Sequence, residues 1–359
     1  MRSLEHRPVD PMSRPLIDVP LATGVRAIDT LSSVGRGQRL GIFAAPGVGK
    51  SVMLGMMARN TAADVSVIAL VGERGREVMD FLENQLGPKG LARSVVVCAS
   101  CDEPALLRVR AATLAAAVAE SFRDRGSDVL LIMDSLTRYC HALRQIGLAA
   151  GEPPTTKGYP PSVFANVPTL LERCGRTRSG SITGLFAVLV EGDDMDDPVA
   201  DAARSILDGH IVLSRKLAHR GHWPAIDLLS SISRVADQVT DAEHQAARQR
   251  VLRVVSAFED VEDLVNLGAY AAGSNIDFDV AINCKAAVDR LVCQARHEVV
   301  PDDTFRQARA QLLALDQTIG QARALLTHRG QRPAVSAPAG QRPVPAAAQR
   351  GSTAPSRPA

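Results

Sequence analysis

An α/β fold, a mainly parallel sheet flanked by helices and followed by a smaller all-α domain, is predicted by three observations. Short apolar runs at Arg39–Phe43, Val65–Val71, Ser94–Val97, Asp128–Met133, Ile182–Val190 and His210–Leu213 are bounded by Gly, Asp or Ser and read as strands buried on both faces. Between them, Lys50–Arg59, Glu103–Arg123 and Asp197–Leu207 have the length and spacing of helices, an alternation that favours parallel strands. After about Asp237 the strands stop, and Asp241–Phe258, Ile276–His297 and Pro301–His328 carry helical patterns alone. Pro301 suits a first helical turn, and Asp302 and Asp303 suit its positive dipole end.

These patterns divide the chain into an extended, proline-rich N-terminal segment (1–20), an α/β domain (21–240), a helical C-terminal domain (241–328) and a tail (329–359). The tail is Pro, Ala, Gln, Arg and Ser, with GQRP at Gly330–Pro333 repeated at Gly340–Pro343. It holds too little apolar surface to offset the entropy of ordering, so it is expected to be disordered.

At 359 residues the chain is long enough for one large core and a second, smaller one. Its 46% hydrophobic and 22% charged residues are ordinary for a globular protein, and a net charge of +2 lacks the basic excess of a nucleic-acid binder. Arg2, Arg7 and Arg14 lie among prolines without an apolar run, so no signal-peptide core is visible. No apolar stretch is long enough to cross a bilayer, and a cytoplasmic location is the expectation. Six cysteines make no disulfide framework. Cys98 and Cys101 form a CxxC without a second pair at zinc-site spacing, and are expected to be buried or partly buried thiols.

The strongest local signal is the run Ala44, Ala45, Pro46, Gly47, Val48, Gly49, Lys50, Ser51, which follows a strand and opens a helix. That is the setting of a P-loop. Small residues let successive amides turn toward phosphates, and the helix dipole adds to them. Lys50 then reaches the β- and γ-phosphates, and the Ser51 hydroxyl helps to hold Mg²⁺. The first position is Ala44 where the pattern has Gly, tolerable if that residue keeps strand-like dihedrals. Val129–Asp134 is an apolar strand ending in a carboxylate, and Asp134 is placed to order the metal's water shell. Between them, Glu73 ends another apolar strand. It either polarises an attacking water or satisfies a helix N-terminus.

Taken in order, Leu16–Asp29, Gly41–Ser51, Gly72–Val78, Gly87–Val97, Asp128–Arg138, Gly151–Ala165, Glu191–Asp197, Asp208–Ser214 and Gly221–Val235 resemble the rotary-type hexameric ATPases. Within that group the chain is most similar to the flagellar export ATPase and its injectisome relatives, over roughly residues 14–325. The resemblance implies ATP and Mg²⁺ as cofactors and a ring of identical subunits, six in the family. It implies that Glu73 activates the hydrolytic water, with Arg74 beside it at the phosphates and Arg138 oriented by the nucleotide site. Trp223 falls where the family places an aromatic ring against adenine, a core Trp being the alternative. Arg234 matches the arginine finger that reaches a neighbour's site, a surface salt bridge being the alternative.

The implied partners are the export gate, stalk and regulatory proteins of a type III secretion apparatus and chaperone–substrate complexes. Peripheral association with the inner face of the cell membrane follows, and no nucleic acid. The loop Lys157–Phe164 is expected to line the ring's central opening. Met195 and the surrounding acids Asp193, Asp194, Asp196 and Asp197 are expected to form a solvated loop and not a metal site. Family members normally begin with a small β-barrel domain that nothing in these residues supplies, so nucleotide binding is expected more firmly than a robust hexamer. A catalytic subunit of a proton-translocating ATPase, and a nucleotide-binding regulatory module without turnover, remain as alternatives.

Overall fold

The computed structural model describes Leu4 and residues 8–190, 197–301 and 303–330. The expected acid loop at 193–196 with Met195, Asp302 and the expected disordered tail beyond 330 lie outside the described residues.

A two-stranded ribbon, β1 (Pro20–Leu21) with β2 (Val34–Gly35), encloses the short helix α1 (Arg26–Leu31). The main sheet then builds from β3 (Arg39–Ala44), α2 (Lys50–Asn60), β4 (Val65–Val71), α3 (Gly75–Asp80), α4 (Gly87–Leu91) and β5 (Ser94–Ala99). It continues through α5 (Ala105–Arg123), β6 (Asp128–Asp134), α6 (Leu136–Ala149), α7 (Pro161–Leu171), β7 (Gly175–Arg176) and β8 (Ser181–Leu189). α8 (Pro198–Ile206), β9 (Gly209–Leu213), α9 (Arg215–His219) and β10 (Ile226–Ser233) complete it. Three long helices follow: α10 (Ala242–Asn266), α11 (Ile276–Val292) and α12 (Thr304–Gly330).

The sheet order is β10-β9-β3-β8-β6-β4-β5, with β7 on β8. β9, β3, β8, β6, β4 and β5 run parallel, and β10 is antiparallel at the edge. Alternate residues of each central strand enter different cores, as a two-residue period requires. Leu40, Ile42, Ile68, Leu70, Leu130 and Ile132 pack with α1, α2 and the three C-terminal helices. Phe43, Val67, Ala69, Val129, Leu131 and Met133 pack with α5 to α8. The alanines of α5 (Ala111, Ala112, Ala115, Ala116 and Ala119) are buried, which lets that helix lie close on the sheet.

Every strand expected from the sequence is present, within two residues at its ends. The edge strand β10 is not among the expected strands, because its pattern alternates weakly, with Leu229 and Ile232 exposed and Ser230 and Ser231 between them. α6 and α7 are the helical stretches on either side of the Gly158–Pro161 punctuation. α6 is started by Ser135, whose side chain accepts from the Arg138 amide, and α7 by Pro161.

Two expectations are corrected. Cys98 and Cys101 are exposed free thiols: Cys98 lies near the end of β5, the last strand of the sheet, and Cys101 in the turn that follows it. The expected loop Lys157–Phe164 gives way to α7 at Pro161, and Tyr159 before it is 3% exposed, packed against His141, Phe164 and Arg144. Among the described residues no helix is long and apolar enough to cross a membrane.

Candidate nucleotide site

The parallel strands all end on one edge of the sheet, and the residues singled out from the sequence converge there. β3 runs directly into the turn Ala45–Gly49. Ala44 is still part of that strand, so a Cβ at this position is tolerated. Gly49 is different. It caps α2 at φ +87°, and a Cβ built on it would stand 2.8 Å from the Trp223 ring. Both its conformation and its neighbour demand glycine. Lys50 and Ser51 begin α2, with the Ser51 side chain exposed at the helix N-terminus.

β4 and β6 are hydrogen-bonded neighbours, with Leu70 opposite Asp134. Asp134 and Glu73 therefore emerge at the same edge. Lys50 Nζ makes an ion pair with Asp134, whose side chain is only 4% exposed, and lies 3.8 Å from Glu73 Oε1. Arg138, one turn into α6, places its Nε 3.3 Å from the same Glu73 oxygen. The backbone of Glu73 is tied down as well. Its carbonyl accepts from the Cys101 amide at 3.0 Å, and the Gly72 amide donates to Ala99 O at 2.7 Å.

Burial, and then the nearby Asp134 carboxylate, push the Glu73 carboxyl up to about 7, against the pull of Lys50 and Arg138. A carboxylate tuned to neutral pH beside two cations can accept a proton from water under ordinary conditions.

Trp223 lies just before β10, 42% exposed, against Gly49. Beside it is a cavity of about 390 Å³ lined by Val48, Met53, Pro224, Gln294 and Arg296 among others. Apart from Gln294 and Arg296 its walls are glycines and apolar side chains, suited to a flat aromatic base. Residues 294–296, which follow α11, were missed in the sequence; they carry no motif and meet the loop only through the fold.

Two sequence-selected residues stay outside the cluster. Arg74 is 74% exposed and its Nη1 lies 3.6 Å from Glu77. Arg234 follows β10 at the opposite edge of the sheet, where its amide donates to Asp208 O and its Nη2 donates to Arg204 O. The length of β3 therefore separates it from its own P-loop, on the order of 17 Å.

Fold and site together define a P-loop nucleotide-binding protein with a helical C-terminal part. Residues 24–233 match the ATP synthase alpha/beta family, nucleotide-binding domain, and residues 240–314 match the T3SS EscN ATPase C-terminal domain. The flagellum-specific ATP synthase of Treponema pallidum is 55% identical over 81% of this chain and 65% of its own length. The type 3 secretion system ATPase of Xanthomonas euvesicatoria is 55% identical over 79% and 64%. The structure of the assembled ATPase EscN from enteropathogenic E. coli superposes with a TM-score of 0.84 at 45% identity, covering 88% of this chain and 76% of that one.

The chain belongs to the ATP synthase alpha/beta family, in the branch of flagellum-specific ATP synthases and type 3 secretion system ATPases. It spans just under two thirds of the length of the Treponema and Xanthomonas relatives.

Proposed function

We propose that this chain hydrolyses Mg-ATP in a ring of identical subunits and that the hydrolysis drives protein export through a flagellar or injectisome type III apparatus. The observation that carries the hydrolytic part is the convergence of Lys50, Asp134, Glu73 and Arg138 at the mouth of the P-loop. The match of the helical part to the T3SS EscN ATPase C-terminal domain supports the export branch over a proton-translocating ATPase.

In this proposal the amides of Ala45, Gly47, Val48 and Gly49 curl around the phosphates, with Pro46 shaping the turn. Lys50 exchanges Asp134 for the β- and γ-phosphates. The buried Asp134 carboxylate and the Ser51 hydroxyl are hard oxygen donors that fit Mg²⁺, with Asp134 acting through water. When bound, the ion neutralises charge on the phosphates. Glu73 takes the proton from the attacking water, and Arg138 holds its carboxylate in place. Trp223 stacks on the adenine. Arg234 enters the next copy's site, since its own is out of reach. Arg74, exposed at the rim, meets the phosphates only in the assembled ring. The domain limits at 21–240 and 241–328, the peripheral membrane site, and the gate, stalk, regulatory and chaperone–substrate partners belong to the same proposal.

Steady-state phosphate release from Mg-ATP, compared between wild type and Glu73→Gln, tests it. A loss of at least a hundredfold is expected, with nucleotide binding kept. Equal rates would show that Glu73 is not the base.

A further inference from the structure

The base pocket has two walls from distant parts of the chain, and one side chain ties them together. Gln294 is the second residue after α11 and is 6% exposed. Its amide donates to the carbonyl of Trp223 at 2.8 Å. Its side chain uses both ends: Oε1 accepts from the Arg26 amide at 2.9 Å, and Nε2 donates to Gly24 O at 2.9 Å. Arg26 closes the knot from the other side, its guanidinium donating to Leu291 O and Cys293 O and pairing with Glu298. Gln294 is thus pinned to the turn that opens α1, and the Trp223 backbone is pinned to Gln294.

The indole needs such a support. It sits on the P-loop against Gly49, yet it is 42% exposed and carried by a loop between α9 and β10. An aromatic ring contributes stacking energy to a base only where it is held in the correct plane beforehand; otherwise the ordering cost is subtracted from the affinity.

We infer that Gln294 is a positioning residue for nucleotide binding: it fixes the Trp223 loop against Gly24 and Arg26, so that the indole is already in place over the P-loop when a base arrives. The inference rests on the proposed ATPase function and deepens it. Because Gln294 lies two residues past the end of α11, the helical part of the chain sets the affinity of the base pocket through it. Gln294 and Arg296 also line the cavity beside Trp223, so a displaced Gln294 moves the ring and part of the lining together.

The test compares Gln294→Leu and Gln294→Glu with wild type in the full chain. Three quantities are read: kcat, KM for Mg-ATP, and emission of Trp223, the single tryptophan, without nucleotide. Gln294→Leu keeps volume and removes both side-chain bonds. KM is expected to rise about tenfold, which is 1.4 kcal/mol, with kcat within about twofold, and the emission to shift to the red. Gln294→Glu keeps the acceptor for the Arg26 amide and falls between the two.

A merely structural role would reduce the active fraction, and with it the apparent kcat, while KM and the emission of the folded molecules stayed at wild-type values. Unchanged KM and emission in either variant that folds would overturn the inference. Wild type without Mg-ATP binding or turnover would instead overturn the ATPase reading, while the nucleotide-free emission would still report on the clamp.

Discussion

Arg138 Nε stands 3.3 Å from Glu73 Oε1, and the methylenes of Arg138 cover Gly72, where a Cβ would come within 3.0 Å of Cδ. With φ +72°, Gly72 lets the chain turn at the end of β4 so that the carboxylate faces back toward this cation. The proposed base must be deprotonated to accept a proton, and its carboxyl is raised to about 7. The kcat/KM for Mg-ATP is therefore expected to fall as pH drops through about 7, since that ratio reports the free enzyme. Arg138 favours the carboxylate. In Arg138→Ala this acidic limb moves upward by about one pH unit. A limb that stays in place would separate Arg138 from Glu73 in function.

The same carboxyl has a consequence for stability. Its folded-state value lies above the ordinary carboxylate range, so the fold disfavours its charged form. That cost is fully present above pH 7 and is relieved as pH falls from about 7 towards the unfolded value near 4.5, where both states hold the proton. Glu73→Gln is therefore expected to resist urea better than wild type at pH 8. The difference in midpoint should shrink as the pH is lowered to 5. A variant equally stable at both pH values would show that burial does not penalise the charge.

Trp223 is the single tryptophan, which makes the proposed base pocket optically addressable. Addition of ATP to the wild type is expected to change its emission, with the change saturating at the binding constant. Lys50→Ala should need far more nucleotide for the same change. Trp223→Ala removes the stacking surface and should raise KM for ATP roughly 5- to 100-fold, the range expected for loss of one base–aromatic stack, while Trp223→Tyr remains close to wild type. A nucleotide-insensitive emission in an active enzyme would place the adenine elsewhere.

How much of this was legible in the sequence follows from whether the controlling interaction is local. Strands β3, β4 and β6 were visible because both faces are buried and the apolar runs are unbroken. The P-loop and Asp134 were visible because each is a short motif at a strand end. Edge strands obey another rule: β10 alternates poorly, and β5, the last strand of the sheet, carries the exposed Cys98 near its end. Ordered pairs such as Arg173 with Glu120, both buried and 2.8 Å apart, join positions 53 residues apart and leave no local pattern. Gln294 belongs with them. Its importance comes from Gly24, Arg26 and Trp223, none of which is near it in the chain.

Arg234 gives the most direct test of a shared site. It is exposed at the amino edge of the sheet, tied through Asp208 to Arg39, the first residue of β3, whereas Lys50 lies beyond the last. An arginine side chain cannot span that strand, so a role at the phosphates requires a second copy. Arg234→Ala alone is expected to lose on the order of 10³–10⁵ in rate, and Lys50→Ala alone to be inactive. Mixed in equal amounts and allowed to exchange, the two should regain activity. In a head-to-tail ring about a quarter of the interfaces then join an intact P-loop to an intact Arg234. Phosphate release by the mixture, set against each variant alone, reads this directly. No recovery from rings shown to contain both chains would mean that Arg234 does not complete a neighbour's site.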